Sequence, residues 1–173
     1  MTADARLARL NALPAEGARA ELLACCGSER WAVRVAAARP YATVDDLRNA
    51  AREAWEGLDP DDRREAFAAH PEIGGEREGP DPTRAWSRRE QSSMADAAAE
   101  TRAALAAGQR AYRARFGYIF LIRATGRSPE EMLSELRSRL DNDPETELEV
   151  ASDEQWHITE IRLARLLEQE GSS

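Results

Sequence analysis

The sequence contains no lysine, and this absence excludes a whole class of chemistry. All 24 basic residues are arginine, so the chain can neither form a Schiff base with a carbonyl substrate nor anchor pyridoxal phosphate covalently. Its two histidines, His70 and His157, lie far apart, and HExxH and CxxC metal-ligand spacings are both absent. Glycine-rich phosphate loops of the GxGxxG and GxxxxGK[ST] types are absent too. The formal charge of -8 argues against a general nucleic-acid or anionic-membrane surface. We therefore expect no metal and no organic cofactor.

Long apolar runs are also missing. No segment reaches the length of a membrane span, and the first 13 residues lack the apolar core of a signal peptide. The only cysteines, Cys25 and Cys26, are neighbours, which favours two buried thiols in a reducing, cytoplasmic compartment over a disulfide. We predict a single domain over residues 1–173, with a core spanning about 7–168 and a frayed C-terminal tail. A homodimer is left open.

What the chain does contain is helical periodicity almost throughout, which predicts an all-α, single-domain helical bundle. Residues suited to N-capping precede the periodic segments at Ser28, Thr43 and Ser128, and Asp59 is followed by Pro60 at a first helical position. The alanine-rich stretch 84–116 predicts two helices broken near Gly108. A last helix is expected over about residues 144–168.

One short segment has no polar face. Residues 116–122 read Phe-Gly-Tyr-Ile-Phe-Leu-Ile, a run rich in aromatic and β-branched side chains and followed by Gly126. This pattern predicts a buried, non-helical segment rather than another amphipathic helix. Backbone amides that are not paired in a helix or a sheet need other partners, and a polar ligand is one candidate.

Functional chemistry is best placed at His70, where Pro71 stops a helix before a loop rich in glycine and proline. An imidazole titrates close to neutral pH and is presented well at such a helix end. A surface or capping histidine beside an ordinary helix stop is the structural alternative. Further on, Ser87, Glu90 and Gln91 fall near one helical face. A solvated face beside two arginines would explain them equally well.

Taken together, these pieces resemble one family over about residues 7–168: the 2-oxo-4-hydroxy-4-carboxy-5-ureidoimidazoline (OHCU) decarboxylases. Each motif is weak alone, and their ordered set is specific. The matching motifs are Leu22-Leu23 through Cys25-Cys26-Gly27-Ser28 with Trp31, Arg39-Pro40-Tyr41, His70-Pro71-Glu72-Ile73-Gly74, Ser87-Arg88-Arg89-Glu90-Gln91, Tyr112 with the 116–122 segment, Gly126-Arg127, and Ile161 with Arg165-Leu166.

The resemblance implies a cofactor-free, all-helical enzyme that converts the last intermediate of urate oxidation, its small-molecule substrate OHCU, into (S)-allantoin and CO₂. It implies catalytic roles for His70 and Glu90. The other positions that it implies line the substrate site: Pro71, Ser87 and Gln91 in the pocket, Phe120, Leu121 and Ile122 through their backbone, and Arg165 toward the anionic groups of the substrate. Arg162 lies one helical turn from Arg165 and is the alternative.

The chemistry of decarboxylation agrees with this composition. Loss of CO₂ leaves electron density on carbon, and without lysine the substrate must supply its own electron sink, as the OHCU ring does. His70 would protonate the ring carbon on one face, with Glu90 orienting the imidazole or a substrate hydroxyl. Two other classes stay open: a non-catalytic helical interaction domain, and a hydrolase of a related ureide that uses the same histidine and carboxylate with an attacking water.

Overall fold

The computed structural model describes residues 2–70, 88–123 and 126–168, without the side chains of residues 88–97. Within these residues the chain forms eight α-helices and no strand, which confirms the predicted all-α class. The helices are α1 (Ala3–Ala12), α2 (Ala15–Cys25), α3 (Glu29–Ala37), α4 (Val44–Glu56), α5 (Pro60–Ala68), α6 (Arg88–Phe116), α7 (Pro129–Leu140) and α8 (Pro144–Glu168). None of these described helices combines the length and the apolar character needed to cross a bilayer.

Four of the helices begin at capping residues that the sequence predicts. Ser28 Oγ accepts from the Trp31 amide at 3.2 Å, and Ser128 caps α7 in the same way. Thr43 forms a reciprocal capping box at the start of α4, and Asp59 caps α5 with Pro60 at the first helical position. Each cap satisfies an amide that the helix itself leaves unpaired, so local sequence alone specifies these starts.

The chain divides into two compact units. Met1–His70 with Leu148–Ser173 form the first, and Pro71–Glu147 form the second. In the first unit α2 packs on α3, and α4 packs on both α3 and α1. Its core is built largely from side chains that are at least nine-tenths buried: Leu7, Leu10, Leu22, Trp31, Leu47, Trp55, Phe67, Leu163 and Leu167. The single domain predicted over residues 1–173 stays a prediction.

In the second unit α6 packs along α7, and one prediction about it is wrong. Helix α6 runs from Arg88 to Phe116 without a break at Gly108. A Cβ atom built on Gly108 would lie 2.5 Å from Leu136 Cδ2 of α7. The glycine therefore permits close approach of two helices rather than ending one. Glycine has this packing role where two elements meet, and its helix penalty of about 1 kcal/mol is too small to break a long helix.

The apolar segment after α6 is buried and non-helical, as predicted. Gly117 adopts a φ of +84°, a conformation that favours glycine, and it turns the chain out of α6. Residues 118–122 follow with non-helical backbone, and all five side chains are buried.

Candidate active site

His70 lies immediately beyond α5, where its amide donates to the Phe67 carbonyl at 3.2 Å. The turn between α2 and α3 lies against this helix end. A Cβ atom built on Gly27 would overlap Ala69 Cβ, at a separation that real Cβ atoms do not tolerate. Gly27, a member of one of the recognised motifs, thus permits the contact that holds the residue next to His70 in place.

The His70 imidazole lies between two side chains of α8, all within the first unit. Its Nε2 is 2.6 Å from Gln155 Oε1, and its Nδ1 is 3.4 Å from Arg162 Nη2. His70 and Arg162 are half-buried, whereas Gln155 is fully buried. The ring is held from one side by an amide oxygen and faces a cation on the other.

This environment lowers the pKa of His70 from its ordinary value of 6.5. Burial is the largest cause, because it disfavours the charged imidazolium; the hydrogen bond with Gln155 opposes the shift, and the positive charge of Arg162 adds to it. The neutral imidazole is therefore the resting form at neutral pH. A neutral ring can accept a proton before it donates one.

Both cysteines lie in the same region and are buried, as predicted. Burial is the main cause that raises the pKa of the Cys25 thiol to about 12 and that of Cys26 to about 11, although the charge of Arg162 opposes both shifts. Thiols in this state are poor nucleophiles. Both thiols lie near enough to Arg162 to feel its charge, and neither is a candidate nucleophile.

The two candidate arginines of α8 differ in position. Three residues advance a helix by about 300°, so Arg165 lies about 60° around the helix from Arg162. Arg165 is exposed, whereas Arg162 is the one that reaches the His70 ring. Arg165 as the substrate-facing arginine stays a prediction, and the observed contact brings Arg162 to the histidine.

In the second unit, Phe120, Leu121 and Ile122 are each at least 95% buried. Arg139 of α7 holds this segment: its Nη1 donates to the Leu121 carbonyl at 2.7 Å, and its guanidinium lies 4.6 Å from the centre of the Phe120 ring. The Tyr112 ring meets Phe120 edge-on at 5.5 Å. The backbone of the segment is thereby fixed by side chains from α6 and α7.

A buried carboxylate anchors Arg139 in turn. Glu147 is fully buried, and its Oε1 accepts from Arg139 Nε at 2.7 Å and from the Tyr112 hydroxyl. Its Oε2 accepts from Asn142 at 3.0 Å. Burial and the hydrogen bond to Glu147 both raise the pKa of the Tyr112 hydroxyl, which stays protonated as the donor. These hydrogen bonds and the ion pair, in which Arg139 Nη2 lies 2.6 Å from Glu147 Oε1, form one buried network.

Sequence reasoning missed Gln155, Arg139 and Glu147. A signal for two of them was present in the spacing of α8. Stepping back by fours from Leu167 and Leu163 leads to Thr159, Gln155, Ala151 and Glu147, and every member of this stripe is buried. Polar side chains on an otherwise apolar, buried stripe need hydrogen-bond partners in the interior. Their position on such a stripe therefore indicates a structural or functional role.

Four predicted site residues cannot be placed from these contacts. Pro71 and Ser87 lie outside the described residues, and Glu90 and Gln91 lie on α6 with side chains outside the described set. Their predicted roles stay predictions. Of the others, His70 and Arg165 belong to the first unit, and Phe120, Leu121 and Ile122 belong to the second.

Two known proteins are similar to this chain in sequence. The bifunctional uric acid degradation protein TTL of Arabidopsis thaliana is 38% identical over 147 residues, which is 82% of this chain and 45% of that protein. The chain thus spans about half the length of this plant relative. The OHCU decarboxylase of Haloferax volcanii is 32% identical over 134 residues, which cover 77% of this chain and 78% of that enzyme.

Two solved structures are similar to this chain in fold. A crystal structure of OHCU decarboxylase in the presence of (S)-allantoin superimposes with a TM-score of 0.70 at 36% identity, covering 86% of this chain and 98% of that one. A crystal structure of (S)-allantoin synthase superimposes with a TM-score of 0.65 at 18% identity and shows the shared fold alone; it covers 96% of this chain and 54% of that one. The family model for OHCU decarboxylase matches residues 11–164. With nine-tenths of the chain inside that match, the protein belongs to the OHCU decarboxylase family.

Proposed function

We propose that this protein decarboxylates OHCU to (S)-allantoin and CO₂, the last step of urate-to-allantoin conversion, without a cofactor. Family membership supports the reaction class. The observation that carries the mechanism is the half-buried His70 ring beside the guanidinium of Arg162. A neutral proton carrier next to a fixed cation suits an anionic substrate that must lose CO₂ and then gain a proton on carbon.

The reaction balances without an electron sink from the protein. The bond between the carboxylate and the ring carbon breaks, CO₂ leaves, and the electron pair enters the adjacent imine, whose nitrogen takes a proton from solvent. The resulting enol then loses its hydroxyl proton and gains one at the neighbouring ring carbon. His70 accepts the first of these protons and delivers it to one face of the ring, which fixes the chirality of allantoin.

Arg162 is our first choice for the group that faces the substrate carboxylate. Its guanidinium already adjoins the imidazole, so a carboxylate bound to it would be placed within reach of His70. Guanidinium and carboxylate can form paired, charge-assisted hydrogen bonds in a partly desolvated site. Arg165, on an exposed face of the same helix, is the second choice.

The remaining positions keep the roles that the family resemblance implies. Because the two nitrogens of the imidazole already face Gln155 and Arg162, Glu90 would orient the substrate hydroxyl, and Pro71, Ser87 and Gln91 would line the pocket. Backbone groups of Phe120, Leu121 and Ile122 would contact the ring. Because the Leu121 carbonyl already accepts from Arg139, the amide N–H is the better candidate for that contact at Leu121.

A direct assay with freshly prepared OHCU tests the proposal. Substrate absorbance, CO₂ release and the circular dichroism of the product are followed together. Enzymatic formation of (S)-allantoin with one CO₂ per substrate is expected. Loss of OHCU absorbance without CO₂ would instead identify a ureide hydrolase, and no acceleration at all would leave a non-catalytic helical domain.

Two variant pairs test the assigned roles. His70→Asn should lower the rate by about 10²–10⁴-fold, the usual contribution of general acid–base catalysis, with a nearly unchanged thermal melt. His157→Gln is the matched control, because the His157 side chain is 44% exposed and its Nδ1 lies 3.5 Å from Glu160 Oε2 on the same helix. A His70 variant that still makes (S)-allantoin at the wild-type rate would rule out the mechanism.

The arginines are compared in the same way. Arg162→Ala should weaken substrate binding by roughly 2–5 kcal/mol if the ion pair is desolvated, and Arg165→Ala by less. The reverse order would assign the carboxylate to Arg165.

Dialysis against a strong chelator should leave the rate unchanged, and activity that returns only with an added divalent ion would contradict the cofactor-free proposal.

A further inference from the structure

Three hydrogen bonds connect His70 to the interior of the first unit. His70 Nε2 and Gln155 Oε1 are 2.6 Å apart, and Gln155 Nε2 donates to Thr159 Oγ1 at 3.0 Å. The Thr159 hydroxyl in turn donates to the Gln155 backbone carbonyl at 2.9 Å. Gln155 and Thr159 are both 0% exposed, so the hydrogen bonds between them are shielded from bulk water.

Counting donors and acceptors orients the Gln155 amide. A threonine hydroxyl has one hydrogen, and here it is given to a backbone carbonyl. Toward the Gln155 side chain, Thr159 Oγ1 can then only accept, so the NH₂ group of the amide must face it. The carbonyl oxygen of the amide is left facing His70, and an oxygen without a hydrogen can only accept from the ring.

The opposite side of the ring leads to the same assignment independently. Arg162 Nη2 lies 3.4 Å from His70 Nδ1, and a guanidinium has donors only. A hydrogen on Nδ1 would therefore point at another donor. A protonated Nε2 and an unprotonated Nδ1 therefore suit both neighbours, Gln155 on one side of the ring and Arg162 on the other.

The Cys26 thiol, which lies near the Thr159 hydroxyl, does not change this hydrogen-bond pattern. The Cys26 thiol interacts with Thr159, and its raised pKa of about 11 keeps it protonated near neutral pH. Because a thiol sulfur accepts only weakly, the Gln155 backbone carbonyl is the stronger acceptor and takes the single hydroxyl hydrogen of Thr159.

We propose that Gln155 and Thr159 are positioning residues that hold His70 in its Nε2–H tautomer, with the Nδ1 lone pair turned toward Arg162 and any anion bound there. Neither residue touches the reacting atoms; they act through the ring. The catalytic consequence rests on the proposed function: Nδ1 is the atom that accepts and returns the proton, and the wrong tautomer presents N–H where a base is needed. Gln155→Leu should then lower kcat by about 10–100-fold, the range over which hydrogen-bond partners of a metal-bound histidine typically change activity, with KM little changed.

The tautomer itself can be read without any substrate. With only two histidines in the chain, ¹⁵N-histidine labelling gives two rings, and the nitrogen shifts separate a protonated from an unprotonated ring nitrogen. At a pH where the ring is neutral, His70 should show a protonated Nε2 and an unprotonated Nδ1. The exposed His157 ring is the internal control and should be the same in every variant.

Thr159 supplies a matched pair of variants that differ by one hydroxyl. Thr159→Val should release the Gln155 amide and give His70 a mixed or Nδ1–H spectrum with a reduced kcat, whereas Thr159→Ser should retain the wild-type spectrum and rate. An Nδ1–H signal in the wild-type protein, or an unchanged His70 spectrum in both Thr159→Val and Gln155→Leu, would overturn the proposal. The tautomer proposal and the proposed function can fail separately. OHCU turnover by a protein whose His70 is in the Nδ1–H form would contradict only the tautomer proposal. An Nε2–H ring in a protein that does not turn over OHCU would contradict only the proposed function.

Discussion

Replacing Arg139 with methionine tests the network that holds the apolar segment. Methionine keeps much of the side-chain volume and removes the charge. Arg139 is 2% exposed and Glu147 is 0% exposed, so the variant leaves a buried carboxylate without its cation. The Leu121 carbonyl also loses its donor.

The expected cost follows from that burial. Removing one partner of a buried ion pair typically destabilises a protein by about 3–5 kcal/mol, because the other charge stays buried and uncompensated. For a chain of this size each kcal/mol lowers Tm by about 2–4 °C. Arg139→Met should therefore lower Tm by about 6–20 °C. Arg137→Met is the matched control on the same helix, because Arg137 is exposed and such changes stay within about 0.5 kcal/mol.

A double-mutant cycle sharpens the prediction. Glu147→Gln keeps an oxygen that can accept from Tyr112 but removes the charge. In the wild-type background it should destabilise, since Arg139 loses its carboxylate, and in the Arg139→Met background it should stabilise, since the lone buried charge disappears. Urea unfolding followed by far-ultraviolet circular dichroism measures the free energy of unfolding of the wild type, the two single variants and the double variant. Equal losses for Arg139→Met and Arg137→Met, or a Glu147→Gln effect of the same sign in both backgrounds, would refute the reasoning.

The remaining predictions concern titration and close packing. Because the pKa of His70 is lowered, its neutral form persists below pH 6.5, so the acid limb of the kcat/KM profile should have its midpoint below that value; any stability that His70 contributes is present above pH 6.5 and is lost as the pH falls through the lowered pKa. A midpoint above 6.5 would contradict the burial argument. With thiol pKa values raised to about 12 at Cys25 and about 11 at Cys26, iodoacetamide at mildly alkaline pH should modify neither cysteine until urea unfolds the chain, and mass spectrometry before and after unfolding checks this. Gly108→Ala should destabilise by about 1–3 kcal/mol through overpacking, whereas Gly17→Ala, whose Cβ would meet neighbours at an ordinary 3.8 Å, should stabilise by up to about 1 kcal/mol; urea midpoints of the two variants should move in opposite directions.

Local sequence determined much of this protein. Caps such as Thr43 and Asp59 act within one helical turn, so helix starts could be predicted without any knowledge of packing. The apolar run 116–122 lacks a polar face, so its burial followed from composition alone. The position of His70 at a helix end could also be predicted locally. Proline disfavours helical geometry in the residue before it, whatever the rest of the chain does.

Only the tertiary structure decided what depends on a partner far away in sequence. Gly108 was predicted to break a helix because its contact, Leu136, lies on another helix and leaves no trace in the local pattern. The pairing of Arg139 with Glu147 is not visible in the sequence, because a buried ion pair has the same residue types as an exposed one. His70 was recognisable as a candidate, but its tautomer depends on Gln155 and Arg162, which are 85 and 92 residues away along the chain. Hydrogen-bond partners are chosen by proximity in space, and that proximity exists only after the helices have packed.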